Sequence, residues 1–241
     1  MDASKLFIND AGRLRSGLRV ALFVLVYFVL LFLISTIVRV VYAGGIYFLP
    51  NLKAGFYVED LAYRLIILTT SLGAGYFCAR LIEGLPWRSL GLSFHTRWFK
   101  HLLLGTGIGI ASLALATAIA TAGGGLRFAF SSLELLPLVA RTLVFSGIVF
   151  VVAALAEEAL FRGYPLQTLT RAQLAVLGVL LTSVPFAAIH LQNPNVAKGF
   201  TFVNTALAGV WLAVAYLRTR SLWFPLGVHW SWNWALGSLF G

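Results

Sequence analysis

Residues 144–162 read VFSGIVFVVAALAEEALFR. This segment carries no charged residue before Glu157, and it then places Glu157, Glu158 and Arg162 within one and a half helical turns. A long apolar run of this kind is typical of a transmembrane helix, which needs about 20 predominantly apolar residues. A charged side chain near the middle of such a helix costs about 2.5–3.5 kcal/mol. The three charged residues therefore need partners or a function inside the membrane.

The composition of the whole chain also indicates a membrane protein. The 241 residues are 60% hydrophobic and 11% charged, with a mean hydropathy of +0.90. Soluble domains are about 45–50% apolar and about 25% charged, so a water-soluble globular protein is excluded. We expect an all-α, polytopic transmembrane helix bundle that forms a single membrane domain over residues 1–241.

Seven apolar runs are candidate spans when the chain is read with a window of about 20 residues. They cover Val20–Val38, Leu61–Cys78, His101–Ala122, Leu136–Leu155 and beyond, Ala172–His190, Phe200–Leu217 and Leu222–Phe240. The first run is longer than the apolar core of about 7–15 residues in a secretory signal, so we interpret it as a membrane anchor.

The basic residues predict how the bundle lies in the membrane. Eighteen Lys and Arg against eight Asp and Glu give a net charge of +10. Twelve of the basic residues lie in or beside alternate loops on one side: Lys5, Arg13, Arg15, Arg19, Arg80, Arg88, Arg97, Lys100, Arg162, Arg171, Arg218 and Arg220. Because positive loops remain in the cytoplasm, we predict a multi-pass integral membrane protein with its N-terminus cytoplasmic and its C-terminus outside. It would lie in the plasma (inner) membrane if the organism is bacterial, and nucleic acid is not needed as a partner to explain the charge.

The two adjacent glutamates are expected to face different ways. Neighbouring residues of an α-helix point about 100° apart, whereas residues four apart share a face. Glu158 and Arg162 are therefore predicted to form an ion pair that makes Glu158 structural. Glu157 has no such partner on its helix and is a candidate general base. A charge cluster at the membrane surface is the alternative interpretation.

Two further apolar runs carry polar side chains. His190 ends one run, one turn after Phe186. His229 and Asn233 lie four residues apart in the last run, and therefore on one helical face. The tryptophans around them indicate by themselves only an aromatic belt at the membrane interface.

Taken together, these residues carry a family resemblance. Glu157-Glu158-Ala-Leu-Phe-Arg162, Phe186-Ala-Ala-Ile-His190 and His229-Trp-Ser-Trp-Asn233 resemble the motifs EExxxR, FxxxH and HxxxN of the CPBP family of intramembrane proteases. That family includes the type II CAAX prenyl endopeptidases and bacteriocin-processing or self-immunity (Abi-like) proteins. The three motifs occur in the family's order, each in a separate apolar run, between Leu136 and Asn233. We therefore interpret residues 134–241 as the motif-bearing protease core and residues 1–133 as a helical scaffold.

The resemblance implies an intramembrane endopeptidase of the CAAX-protease type. Its substrates would be membrane-embedded or lipidated peptides or proteins, including prenylated ones, and membrane lipid would be its other partner. The residues that match the family's motifs, and that the resemblance makes catalytic, are Glu157, Glu158, Arg162, His190, His229 and Asn233.

The polar residues suit hydrolysis by an activated water molecule. The chain has no HExxH zinc helix and no GxSxG nucleophile elbow, and its single cysteine, Cys78, lies in an apolar run without a plausible base. Glu157 and His190 could activate the water, while His229 and Asn233 could donate hydrogen bonds to the oxyanion. No cofactor is firmly predicted.

Three alternatives stay open at this point. Zinc could be bound by Glu157, His190 and His229 with water as the fourth ligand. The chain could also be a transporter, although no inverted repeat of Gly/Pro-broken spans is visible in the sequence. A non-catalytic membrane immunity or scaffold protein would keep the same fold.

The three motifs can meet only if the fourth helix is long. If it ended at Leu155, Glu157 would lie at the membrane edge, about 27 Å in height from His190 at 1.5 Å per residue. We therefore predict a long, bent helix that continues to about Leu169 despite Gly163 and Pro165, with a site inside the membrane.

Two other features receive structural interpretations. Gly105-Thr106-Gly107-Ile108-Gly109 lies inside an apolar run with no preceding strand, so close helix packing explains it better than a phosphate loop. Arg64 and Arg141 lie near outer span ends and are expected to extend to the membrane surface.

Overall fold

The computed structural model describes residues 7–9, 12–48, 56–128, 133–193 and 196–239. Within these residues the chain forms seven helices and no β-strand. They are α1 (Ser16–Phe48), α2 (Phe56–Ile82), α3 (Trp98–Ala122), α4 (Leu136–Arg171), α5 (Ala175–His190), α6 (Lys198–Thr219) and α7 (Trp223–Leu239). Short 3-10 turns at Trp87–Leu90 and Leu133–Leu135 precede α3 and α4. The expected all-α bundle is confirmed.

Five of the described helices, α1, α2, α3, α4 and α6, are long and apolar enough to cross a membrane. The other two are shorter, because α5 has 16 residues and α7 has 17. At 1.5 Å per residue they reach about 24–26 Å, less than the roughly 30 Å hydrocarbon core. Each expected apolar run corresponds to one helix. Phe240, the last residue of the seventh run, and Lys5, one of the twelve basic residues, lie outside the described residues. The two short helices carry His190, His229 and Asn233.

Helix α4 is continuous but changes its hydrogen-bonding pattern in the middle. Leu136–Glu158 is α-helical, Ala159–Gly163 forms a π-helical turn, and Tyr164–Arg171 is α-helical again. Pro165 has no N–H to donate to the preceding turn, which weakens the regular α-helical ladder at this point. The predicted continuation of the helix past Arg162 is confirmed. Glu157 consequently lies about 21 Å before the end of α4 at 1.5 Å per residue.

Helices α3 and α7 approach each other very closely over glycines. A Cβ atom at Gly105 would overlap the backbone carbonyl oxygen of Phe224, and one at Gly109 would overlap the Ser231 hydroxyl. On the opposite helix, a Cβ atom at Gly227 would overlap the backbone of α3. Small residues allow helix backbones to approach in this way. The expected packing role is confirmed for Gly105 and Gly109, and it fixes the position of α7.

Several chain segments meet at one end of the bundle around Glu83. The Glu83 carboxylate accepts hydrogen bonds from Arg19 at the start of α1 (3.0 Å) and from Arg171 at the end of α4 (3.1 Å). Burial alone would raise the pKa of Glu83, but the charge of Arg171, hydrogen bonds to the carboxylate and the charge of Arg19 hold it below its ordinary value. At the start of α7, Trp223 donates a hydrogen bond to the carbonyl of Ser93 in the loop before α3 (3.0 Å). We call this part of the bundle, defined by Arg19, Glu83 and Arg171, the basic end.

The glycine contacts predict a position-dependent effect of adding one methyl group. Gly105→Ala should destabilise the protein by about 1–3 kcal/mol, the usual cost of overpacking, because its Cβ atom meets rigid backbone. Gly107→Ala is the matched control on the same helix: nothing lies within 4 Å of its Cβ position. Thermal unfolding in detergent should show a lower Tm for Gly105→Ala only. Equal Tm values for the two variants would contradict the close approach of α3 and α7.

Candidate active site

The site is built around the buried carboxylate of Glu158. Its Oε1 atom lies 3.1 Å from a terminal guanidinium nitrogen of Arg162 and 2.9 Å from Nδ1 of His229. Glu158 and Arg162 are both completely buried. Arg162 also donates a hydrogen bond to the backbone carbonyl of Gly209 on α6 (3.1 Å). The cluster therefore joins α4 to both α6 and α7.

The sequence predicted only one of these three interactions. The Glu158–Arg162 ion pair follows from the four-residue spacing, and the structure shows it. The bond from His229 to Glu158 was missed, because the two residues are 71 positions apart and no helical periodicity relates them. The signal that could have suggested it is chemical: a buried carboxylate with several acceptor sites needs more than one donor.

The ring of Phe186 closes the cluster on the side of α5. Its centre lies 4.4 Å from the guanidinium carbon of Arg162. The ring of His190 lies 4.7 Å away, and that of His229 lies 5.7 Å away in an edge-to-face arrangement. A desolvated guanidinium over an aromatic face is an attractive contact. Phe186 was recognised as a motif residue but not as a site residue, and its position now shows that it packs against three site residues.

The carboxylate of Glu157 faces the two histidines. Its Oε2 atom lies 3.9 Å from Nε2 of His190 and 3.6 Å from Nε2 of His229. Both distances exceed the roughly 2.7–3.2 Å of a direct N–H···O hydrogen bond. The same oxygen is buried and has no hydrogen-bond partner among the described residues. A polar gap of this size is suited to a bridging water molecule.

In each imidazole ring, the hydrogen-bond partner of Nδ1 determines whether Nε2 presents a proton or a lone pair to this gap. Nδ1 of His190 lies 2.6 Å from the carbonyl oxygen of Phe186, and Nδ1 of His229 lies 2.9 Å from the Glu158 carboxylate. Both partners are acceptors, so Nδ1 carries the proton in each neutral ring. The two Nε2 atoms then present lone pairs to the space beside Glu157. A water molecule there could donate hydrogen bonds to them.

Asn233 lies one turn after His229 on α7 and is partly buried. Its side chain forms no hydrogen bond or ion pair within the described part of the chain. Residues four apart on a helix share a face, so the amide lies on the His229 side of α7. The structure therefore brings Glu157, Glu158, Arg162, His190 and His229 into one cluster and places Asn233 beside it along α7.

The cluster opens into a cavity of about 590 Å³ between α1, α2, α4 and α5. Glu157 and His190 lie on its wall, with Gln192 and Asn193 beyond the end of α5. Most of the other wall residues are apolar, and α1 contributes six of them between residues 20 and 31. Two walls of the cavity thus come from helices that precede the motif-bearing core.

A metal ion is the alternative to water in the space beside Glu157. Glu157, His190 and His229 are residue types that bind zinc. Among the described residues, however, no group of three or more His, Cys, Asp or Glu side chains has an arrangement that could hold a metal ion.

A comparison with known families identifies the segment that carries this site. Residues 138–235 match the family described as type II CAAX prenyl endopeptidase Rce1-like. This matched segment is similar to that family. The match confirms the resemblance given by the three motifs, and at the level of the family it supports a membrane-embedded, CAAX-type endopeptidase. No curated protein and no solved structure matches the chain significantly.

All six motif residues lie within the matched segment, whereas α1 and α2 lie outside it. The boundaries of the matched segment therefore include the Glu158 cluster and the wall formed by α4 and α5. They exclude the opposite cavity wall. The cavity wall formed by α1 and α2 is accordingly less constrained by the family match than the part that carries Glu157.

The buried cluster predicts a stability effect that can be separated from catalysis. Glu158→Gln should destabilise the protein by about 3–5 kcal/mol, because it leaves the Arg162 charge buried without its partner. The double variant Glu158→Gln/Arg162→Met should recover a large part of this loss, since it removes the unpaired charge as well. Thermal unfolding in detergent measures both. A Glu158→Gln variant as stable as the unmodified protein would contradict the structural role of the pair.

Proposed function

We propose that the chain is an intramembrane endopeptidase in which Glu157 activates a water molecule for attack on a peptide bond. The observation that carries this proposal is the buried Oε2 atom of Glu157, which has no hydrogen-bond partner among the described residues and faces Nε2 of both His190 and His229. A general base needs a free oxygen within reach of the proton that it removes. The family match supports peptide hydrolysis as the type of reaction.

In the proposed reaction, water bound beside Glu157 loses a proton to the Glu157 carboxylate while its oxygen bonds to the carbonyl carbon. His190 orients this water through the Nε2 lone pair, because its Nδ1–H is held by the carbonyl of Phe186. The carbonyl oxygen becomes an oxyanion. The C–N bond then breaks as Glu157 returns the proton to the leaving amine.

His229 and Asn233 are proposed to stabilise the oxyanion. The Asn233 amide donates a hydrogen bond in any protonation state, and His229 donates from Nε2 when its ring carries a second proton. The bond from His229 Nδ1 to Glu158 holds the ring in place during this step. Fixed donors aimed at a developing negative charge stabilise the transition state more than the substrate. In this scheme Glu158 and Arg162 are positioning residues that act through His229.

We further propose that the basic end faces the cytoplasm, since positively charged loops are retained there. The N-terminus would then be inside and the C-terminus outside, with Glu157 about 21 Å along α4 from the cytoplasmic end. The apolar cavity is suited to a membrane-embedded or lipidated peptide, including a prenylated one. Such a substrate could place a peptide bond at Glu157 without leaving the membrane.

The central prediction concerns the proposed base. Glu157→Gln should abolish hydrolysis while the protein remains folded, because an amide has a similar shape but cannot accept the proton from water. Cleavage of a quenched fluorescent peptide carrying an S-prenyl cysteine, measured in proteoliposomes, tests this. Glu59→Gln is the matched control, since it removes an exposed carboxylate from the start of α2.

Three results would change this assignment. Retained cleavage by Glu157→Gln would remove Glu157 from the mechanism. Loss of cleavage with a chelator and recovery with zinc would indicate a zinc-dependent form of the same protease. Absence of cleavage in the unmodified protein, with a cellular phenotype that survives Glu157→Gln, would indicate a non-catalytic scaffold or immunity protein.

A second prediction concerns Asn233. Asn233→Ala should lower kcat by about 10²–10³ with little change in KM, the usual effect of removing one oxyanion donor. Asn233→Asp should be at least as damaging, because a carboxylate repels the oxyanion. Both variants are compared on one substrate under the same conditions. An active Asn233→Asp beside an inactive Asn233→Ala would point to a metal-ligand role and overturn the donor assignment.

A further inference from the structure

Arg64 is the feature of the cavity that neither the motifs nor the family match explains. It lies on α2, outside the segment that matches the family, and it was expected to extend to the membrane surface. The structure instead places it on the wall of the cavity that Glu157 and His190 also line. Among the described residues that line this cavity, Arg64 is the only Lys or Arg.

The guanidinium of Arg64 is held in place but retains free donors. Its Nε–H donates to the carboxylate of Asp60 one turn earlier (3.2 Å), and its charge lies 5.7 Å from the centre of the Tyr63 ring. Both side chains of the Asp60–Arg64 pair remain about one-third exposed. An arginine has five N–H donors, and no other described residue accepts a hydrogen bond from Arg64. The terminal nitrogens are therefore available to an anionic group in the cavity.

The ion pair at the basic end gives the height of Arg64 relative to Glu157. Glu83, directly after α2, and Arg171, at the end of α4, are joined by a 3.1 Å ion pair, so the two helices share a common level there. At 1.5 Å per residue, Arg64 lies about 27 Å from the end of α2 and Glu157 about 21 Å from the end of α4. The difference in height of about 6 Å corresponds to roughly two residues of an extended peptide that runs parallel to the helices, at about 3.3 Å per residue.

We propose that Arg64 is a specificity-determining residue that binds a carboxylate of the peptide substrate about two residues from the bond that is cleaved. The apolar wall holds the hydrophobic part of the substrate, and Arg64 is the complementary charge for an anionic part. Asp60 orients the guanidinium and competes with the substrate carboxylate for it. This inference rests on the proposed function and names the group that selects among its substrates.

A set of matched peptides tests this role. Each carries an S-prenyl cysteine followed by two apolar residues and ends either in a free carboxylate, in an amide, or in an aspartate whose terminus is amidated. The unmodified protein should favour the first peptide over the second by about 10- to 100-fold in kcat/KM, the effect of one hydrogen bond to a charged group. The third peptide distinguishes a side-chain carboxylate from a terminal one as the recognised group.

The variants then assign the preference to Arg64. In Arg64→Gln the ratio of kcat/KM between the carboxylate and amide peptides should fall to about one. Arg64→Lys should keep part of the preference, because its KM for the carboxylate peptide should be lower than that of Arg64→Gln. Asp60→Asn should lower KM for the carboxylate peptide, since it removes the competing anion. Arg80→Gln removes an exposed charge from the same helix outside the cavity and should keep the unmodified ratio.

Binding measurements separate this inference from the proposed function. In the Glu157→Gln background, fluorescently labelled versions of the same peptides should bind with the carboxylate preference when Arg64 is present and without it in Glu157→Gln/Arg64→Gln. Preferential binding with no hydrolysis by the unmodified protein would overturn the proposed function but support the role of Arg64. Hydrolysis with equal rates and equal binding for carboxylate and amide peptides would overturn the role of Arg64 alone.

Discussion

The buried carboxylate of Glu158 is the constraint on which the rest of this structure depends. A charge with no exposed surface is stable only when its partners supply good hydrogen bonds. Removing one partner of a buried ion pair costs much more free energy than the intact pair contributes to stability. Arg162 provides one partner from the same helix, and His229 provides the other from α7. Because Arg162 also reaches the backbone of α6, one carboxylate fixes the relative positions of three helices. Helices α4 and α7, which carry two of the motifs, cannot separate without leaving this charge unpaired.

The geometry of a single helix places two adjacent carboxylates in different surroundings. Neighbouring residues point about 100° apart, so when Glu158 turns inward to Arg162, Glu157 is directed to the cavity. The π-helical turn begins directly after this pair, at Ala159, and carries Arg162 within it. Such turns are frequent at functional sites, because they re-aim side chains without ending the helix. Here the turn keeps Arg162 in reach of Glu158 while α4 continues to the basic end.

Parts of the chain without any motif determine the shape of the site. The glycines of α3 allow α7 to approach closely, which sets where His229 and Asn233 lie. The ion pairs of Glu83 fix the start of α1 and the end of α4 at a common level. Helices α1 and α2 then close the cavity opposite Glu157 and bring Arg64 to its wall. The N-terminal helices are therefore part of the candidate site as well as a scaffold for it.

The sequence alone determined the class of fold, the approximate helices, the Glu158–Arg162 pair and the family resemblance. These features depend on composition, on local periodicity or on short motifs, which are properties of neighbouring residues. The length of α4 could also be predicted, since residues on different helices can meet only at a common height. Only the tertiary structure placed His229 on Glu158, Phe186 against Arg162, and Arg64 on the wall of the cavity. Those contacts join residues far apart in the chain, and they depend on how the helices tilt and pack, which no local pattern in the sequence encodes.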